Sequence, residues 1–327
     1  MAVDGVLEID RRADRTGYRD VVFAEVSGFR PLLLDLVVPV LRAREPAPEP
    51  SREPEPVPES VPESVPESKP ESKLEPKREP EPVPVVVYLH GGGFAGGTHQ
   101  LARYPAARRA TEALLARGVA VASVGYRLSG EARFPAQPHD VWAAVRWLGR
   151  HGADVGVDPA RLGAWGDSAG GYLTAMLAVA ASRPEPTGPP GHEGGIRAGV
   201  SWYGPSNLAT QPPLGPPAWR NTDPARSPEA KLLGAPPASV PELAAHASPV
   251  SHVTTGAAPL LLVHGTADDA VPFAQSEELV AAYRRAGAPI ELVAVPGAGH
   301  GLLGVELGPL LERSADFLVR HLSAEGD

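Results

Sequence analysis

Apolar and polar positions along the 327-residue chain fall into two recurring patterns. Short runs that are apolar almost throughout appear at Val85–His90 (VVVYLH), Val119–Val124, Leu162–Trp165, Ile196–Tyr203, Leu260–His264 and Ile290–Val295. Runs of that length and character fit strands buried on both faces of a sheet. Between them lie stretches with helical spacing. These are residues 101–117, rich in Ala and Arg, then 137–150, with Val141, Val145 and Leu148 at i, i+4 and i+7, and then Tyr172–Ala181, Phe273–Arg285 and 306–322. Strands alternating with helices of this length predict an α/β fold whose mainly parallel sheet is covered on both faces. Residues 20–27 and 29–40 read as two extended segments joined at a Ser27-Gly28 turn. Residues 207–250 break the rhythm with many Pro, and read either as a lid over a site or as an irregular connection.

Composition changes this picture in one place. From Arg44 to Pro84 the chain repeats Pro-Glu units, with VPES at 57–60, 61–64 and 65–68 and KPES at 69–72, and has no aromatic residue. Such a segment has almost nothing to bury, so 43–84 is expected to be disordered or polyproline-like. It reads as a tolerated loop insertion inside a single domain formed by 1–42 and 85–327, with a docking segment for a Pro-recognising partner as the alternative. Residues 43–84 hold eleven Glu against six Lys and Arg, which accounts for more than half of the net charge of −9. No basic cluster remains that would neutralise phosphates, so nucleic acid is not an expected partner. The chain has no Cys, which removes disulfides, thiolate chemistry and Cys-bound metals. MAVDGVLEIDRR does not read as a signal peptide and no apolar run approaches a membrane span, so the expectation is a cytoplasmic protein without a membrane partner.

The strongest chemical signal is Gly166-Asp167-Ser168-Ala169-Gly170-Gly171, set between a strand and a helix. A sharp strand-to-helix turn crowds its neighbours, so glycines are needed on both sides of the exposed Ser. The helix start favours developing negative charge. A second signal, His90-Gly91-Gly92-Gly93-Phe94, closes a buried strand, and its backbone N–H groups can approach a substrate oxygen together with that of Ala169. A hydroxyl needs a base, itself oriented by a carboxylate. His300, in the Gly-rich loop 296–301 after a strand, is the candidate base. His90 and His264 end strands and read as satisfied, partly buried residues. Asp268 follows another strand in HGTADDAVP, and spacing does not separate it from Asp269.

Taken together, HGGGF, GDSAGG, HGTADDAVP and GAGHG resemble the α/β-hydrolase superfamily, and within it the carboxylesterases with an HGGG loop. Tyr126-Arg127-Leu128, residues 134–148 and Trp202-Tyr203-Gly204-Pro205 resemble it as well, so the likeness spans nearly the whole chain outside 43–84. The resemblance implies an eight-stranded, mostly parallel sheet whose antiparallel edge hairpin is residues 20–40. It implies a Ser168–Asp268–His300 triad, the acid being the Asp that precedes x-x-Val-Pro, and an oxyanion hole from Gly92, Gly93 and Ala169. No long N-terminal segment is present to form the helical cap of the hormone-sensitive-lipase branch, which favours an open site of the feruloyl or acetyl esterase type. No cofactor and no metal are implied.

The expected activity is hydrolysis of small or short-acyl carboxylic esters through an acyl-enzyme. Phe94, Tyr126, Trp202, Tyr203 and Trp219 are candidates to line the pocket, with core packing as the alternative for each. Two other functions use the same residues. An arylformamidase or a prolyl-oligopeptidase-like amide hydrolase needs the same triad, although no acidic group to hold a substrate amine is assignable in the sequence. A non-catalytic small-molecule-binding protein of this fold would normally have lost a triad member. Neither the natural ester nor the oligomeric state follows from the sequence.

Overall fold

A computed structural model describes residues 8–40, 81–100, 103–181, 195–212 and 223–323. Among them are nine strands: β1 (Glu8–Arg11), β2 (Arg15–Ala24), β3 (Leu32–Pro39), β4 (Val83–Leu89), β5 (Ala120–Val124), β6 (Val157–Asp167), β7 (Ala198–Trp202), β8 (Leu260–Gly265) and β9 (Ile290–Val295). They form one sheet in the order β1-β2-β3-β5-β4-β6-β7-β8-β9. From β5 to β9 every neighbouring pair is parallel, and β1, β2 and β3 add antiparallel strands at one edge. The expected α/β class with a mostly parallel sheet is therefore what the chain forms.

Two expectations are corrected. The sheet has nine strands and not eight, because Glu8–Arg11 pairs with β2; four mainly charged residues carry no apolar pattern by which to find them. The strand before the glycine run starts at Val83 and not Val85, so Val83 and Pro84 belong to β4, with Val83 fully packed in the core. The rest of the Pro-Glu stretch, 43–80, lies outside the described residues.

Among the described residues seven α-helices accompany the sheet: α1 (Pro105–Leu115), α2 (Ala136–His151), α3 (Ala169–Ala180), α4 (Pro228–Leu233), α5 (Pro241–His246), α6 (Ala274–Ala286) and α7 (Gly308–Leu322). Apolar residues of α2, α3 and α6 pack with Val85, Val87 and Leu89 on one face of β4, while those of α1 and α7 pack with Val86 and Tyr88 on the other. Alternate residues of β4 point to opposite faces, and both faces are covered, which is why the strand is apolar at nearly every position. The segment 207–250 resolves, where described, into short helical pieces that each begin at a Pro: α4, α5 and 3-10 turns at Pro224–Arg226, Pro237–Ser239 and Pro249–His252. Pro suits the first position of a helix, and the next Pro a few residues further on stops the preceding piece from growing long. Among the described residues no helix is long and apolar enough to cross a membrane.

All parallel strands point their C-terminal ends the same way, so the loops after β4, β6, β7, β8 and β9 gather along one rim. In open α/β sheets that rim is where ligands bind.

Candidate active site

β6 runs into α3 with no linker except Ser168, whose backbone stands at φ 52°, ψ −117°. Positive φ for a residue with a Cβ costs about 1–3 kcal/mol and persists only where the surroundings enforce it. Here the Ser168 N–H donates to Trp202 O of β7 at 2.9 Å, and its carbonyl accepts from Tyr172 N–H at 3.0 Å, the first turn of α3. The flanking glycines are required by contact. A Cβ on Gly166 would lie 2.3 Å from Gly170 O, and one on Gly170 would lie 1.9 Å from Leu89 O. The turn is packed directly against the end of β4, which is how the glycine loop and the Ser come to stand together.

His300, in the loop after β9, presents Nε2 to Ser168 Oγ at 3.1 Å. Its Nδ1 lies 2.8 Å from Asp268 Oδ2. Because a carboxylate only accepts, Nδ1 carries the proton and Nε2 is left to accept from the hydroxyl. The other Asp268 oxygen accepts from the N–H groups of Ala270 and Val271, both at 2.9 Å. Burial by itself would raise the Asp268 carboxyl, but hydrogen bonds from His264 and His300 and the nearby imidazole charge outweigh it and hold the group well below the usual carboxylate range. Asp269, the competing acid, is exposed and makes no contact of this kind with His300; it stands at the mouth of the cavity.

His264, expected to be a satisfied residue, is fully buried and has a second task. Its Nδ1 accepts from the Ser276 hydroxyl at 2.7 Å, and its Nε2 faces Val271 O at 2.8 Å and Asp268 Oδ2 at 3.3 Å. It therefore positions the acid from behind. His90 similarly holds the glycine loop. Its Nδ1–H donates to Gly91 O at 2.8 Å, its ring stacks on Tyr126 with centroids 4.3 Å apart, and burial pushes its pKa down to about 4, so it stays neutral. The Gly91 N–H is used by the Asp167 carboxylate, which also accepts from the Tyr88 hydroxyl at 2.9 Å.

Gly92, Gly93, Phe94, Ser168, Ala169, Tyr203 and His300 all line one cavity of about 570 Å3. Ala169 is the first residue of α3, so its N–H is among those a helix leaves without an internal acceptor. Tyr203 places its ring edge-on to the His300 imidazole, 5.0 Å between centroids, and restricts how that ring can turn. Of the five candidate pocket aromatics, Phe94 and Tyr203 do line the cavity and Trp219 lies outside the described residues. Tyr126 and Trp202 do not line it. Tyr126 lies beneath the glycine loop, its hydroxyl donating to His90 O at 2.7 Å. Trp202 packs into the α7 layer, where its Nε1–H donates to Ser314 Oγ at 3.0 Å.

The remaining wall was not anticipated. Pro205, Val271 and Leu303 supply apolar surface, and α4 supplies Pro228 and Glu229. Pro228 packs near Gly93, and Glu229 is 5% exposed. Burial raises the Glu229 carboxyl above its ordinary value, opposed by hydrogen bonds from its own N–H and the Ser227 hydroxyl. The S-P-E sequence at 227–229 announces a helix start, yet nothing in it says what the helix faces.

A parallel sheet with an antiparallel edge, a strained Ser between strand and helix, and an acid and a His on later strand-end loops define an α/β-hydrolase. The family model described as BD-FAE matches residues 74–283, and the chain belongs to that family. Over 99 residues, 29% of each chain, it is 46% identical to carboxylesterase NlhH of Mycobacterium tuberculosis. Over 244 residues it is 30% identical to esterase LipQ of the same organism, covering 72% of this chain and 55% of LipQ. These matches thus span about half or less of the relatives' own lengths. Among solved structures, a truncated carbohydrate esterase from gut microbiota superimposes with a TM-score of 0.70 at 24% identity, covering 97% of this chain and all of that one.

Proposed function

We propose that the protein is a serine carboxylesterase acting on small, short-acyl esters, with Ser168 as nucleophile, His300 as general base and acid, and Asp268 as the orienting carboxylate. The observation that carries this reading is the unbroken relay Ser168 Oγ–His300 Nε2–His300 Nδ1–Asp268 Oδ2, at 3.1 and 2.8 Å. The names of the relatives, carboxylesterase NlhH and esterase LipQ, support the same activity.

In the first half-reaction Ser168 Oγ attacks the ester carbonyl carbon while His300 Nε2 takes its proton. The carbonyl oxygen becomes an alkoxide facing the N–H groups of Gly92, Gly93 and Ala169, which the packed loop and the helix start hold ready before charge develops. Collapse breaks the bond to the alcohol oxygen, which takes the proton from His300 and leaves. In the second half, water gives a proton to His300 and attacks the acyl carbon; collapse releases the acid and returns the proton to Ser168. Asp268 keeps the Nδ1 proton in place throughout and offsets the charge on the imidazolium.

A cavity of about 570 Å3, walled by Phe94, Val271 and Leu303 and with a mouth bearing Asp269, suits a compact ester better than a long acyl chain. A panel of p-nitrophenyl esters from acetate to decanoate, an N-formyl aryl amide and a dipeptide p-nitroanilide tests this. The expected result is kcat/KM highest at two to four acyl carbons, falling by about tenfold or more by ten, with both amides far slower. A faster N-formyl amide would make the protein an amide hydrolase.

A further inference from the structure

The esterase reading leaves one group in the cavity without a task. Five ionisable side chains line it among the described residues: Asp167, Tyr203, Glu229, Asp269 and His300, with no Lys or Arg. Two of the three carboxylates are accounted for. Asp167 is occupied by the Tyr88 hydroxyl and the Gly91 N–H, and Asp269 is exposed at the mouth. Glu229 is different. It is 5% exposed, its hydrogen bonds come from its own N–H and the Ser227 hydroxyl, and among the described residues no Lys or Arg forms an ion pair with it. A carboxylate withdrawn from water with so few partners opposes folding, and such groups are retained where something binds them.

The element that carries it is held firmly. Ser227 caps α4 by accepting from Ala230 N–H at 3.0 Å, and Leu232 O accepts from Phe134 N–H at 2.8 Å. Pro228, one residue earlier, packs near Gly93 of the glycine loop. Glu229 is thus held on the wall of the cavity, next in sequence to the residue that packs near the glycine loop, and the other walls are mainly apolar.

We propose that the cavity is charge-selective: Glu229 is the counter-ion for an ammonium group carried on the acid or the alcohol part of the ester, and esters bearing a carboxylate are turned away. This specificity rests on the esterase reading above. A neutral ester meets an apolar pocket, a cationic one pairs with Glu229 in a medium where water screens little, and an anionic one meets three carboxylates and no compensating cation.

Two isosteric pairs test it. On the acid side, p-nitrophenyl 3-aminopropanoate is compared with p-nitrophenyl butanoate; on the alcohol side, acetylcholine is compared with 3,3-dimethylbutyl acetate. For each pair the ratio of kcat/KM, cationic over neutral, is measured in the wild type and in Glu229→Gln, so that intrinsic ester reactivity cancels. The expected result is a fall in that ratio of roughly tenfold in at least one pair; equal ratios in both pairs would overturn the proposal. Should Glu229→Gln not fold, binding of n-butylammonium and of pentanoate to Ser168→Ala is measured by calorimetry. The ammonium is expected to bind more tightly by roughly tenfold, and equal or reversed affinities would overturn the proposal. The calorimetry needs no turnover, so a protein that binds the ammonium selectively but hydrolyses no ester would refute the esterase reading alone. Brisk turnover without charge preference would refute this inference alone.

Discussion

Ser168→Ala is expected to lower kcat for p-nitrophenyl acetate by about five to six orders of magnitude, with little change in KM. The size of the effect follows from the relay. Without Oγ, His300 has no proton to take and no acyl-enzyme forms, so the two half-reactions collapse into direct attack by water. What survives is stabilisation of the alkoxide by the N–H groups of Gly92, Gly93 and Ala169, about three orders of magnitude above the uncatalysed rate. The substitution removes one oxygen from a part-buried position and relieves no contact that holds the sheet. The melting temperature should therefore stay within a few degrees of wild type, since the strain at φ 52° comes from the backbone and remains. A variant that unfolds would show instead that the Ser side chain supports the turn.

Asp268→Asn should be nearly as damaging to kcat, at about four orders of magnitude, for a reason that concerns protons and not charge alone. Asp268 Oδ1 accepts from Ala270 and Val271 N–H, so the carboxamide oxygen of Asn will take that place. Its NH2 must then face His300 Nδ1 and donate to it, which drives the imidazole proton onto Nε2, the atom that must accept from Ser168. His264 Nε2, now 3.3 Å from Asp268 Oδ2, would meet the same NH2 and add donor–donor repulsion. The expected signature is a fall in kcat far larger than any change in KM, measured together with near-ultraviolet circular dichroism to show retained packing. Asp269→Asn is the control. It removes a charge at the mouth without touching the relay, and a comparable loss from it would mean that the acid had been assigned to the wrong neighbour.

How much of this could be read from the chain depends on how local each signal is. The strand–Ser turn–helix was legible because its glycines stand beside the Ser in the sequence, although one of them is demanded by a contact with Leu89 of β4, and because VVVYLH fits a strand covered on both sides. The acid was legible only as a pair, Asp268 or Asp269, until the resemblance separated them; in the structure it is the two N–H donors of the same loop that distinguish them. Tyr126 and Trp202 failed as pocket residues for a geometric reason. Trp202 is the last residue of β7 and packs into the α7 layer, whereas Tyr203 lies just beyond the strand with a left-handed backbone, φ 41°, and its ring reaches the cavity beside His300. Glu229 left no trace in the sequence. The Pro-broken stretch that carries it has no periodicity from which to infer a facing element, and only the packing of α4 near Gly93 brings it to the cavity. The supporting roles of His90 and His264 were hidden likewise, because a buried His at a strand end looks the same whether or not it touches a functional neighbour.

The central claim is that Ser168 alone is activated as a nucleophile, and covalent phosphorylation tests it most directly. Incubation with p-nitrophenyl diethyl phosphate, followed by intact-mass measurement and peptide mapping, should show a single diethylphosphoryl group per chain, on the peptide containing Ser168. Esterase activity should be lost in step with labelling, and Ser168→Ala should take up no label. Full activity in the unlabelled protein after exposure, or a stoichiometric label on any other residue, would contradict the account.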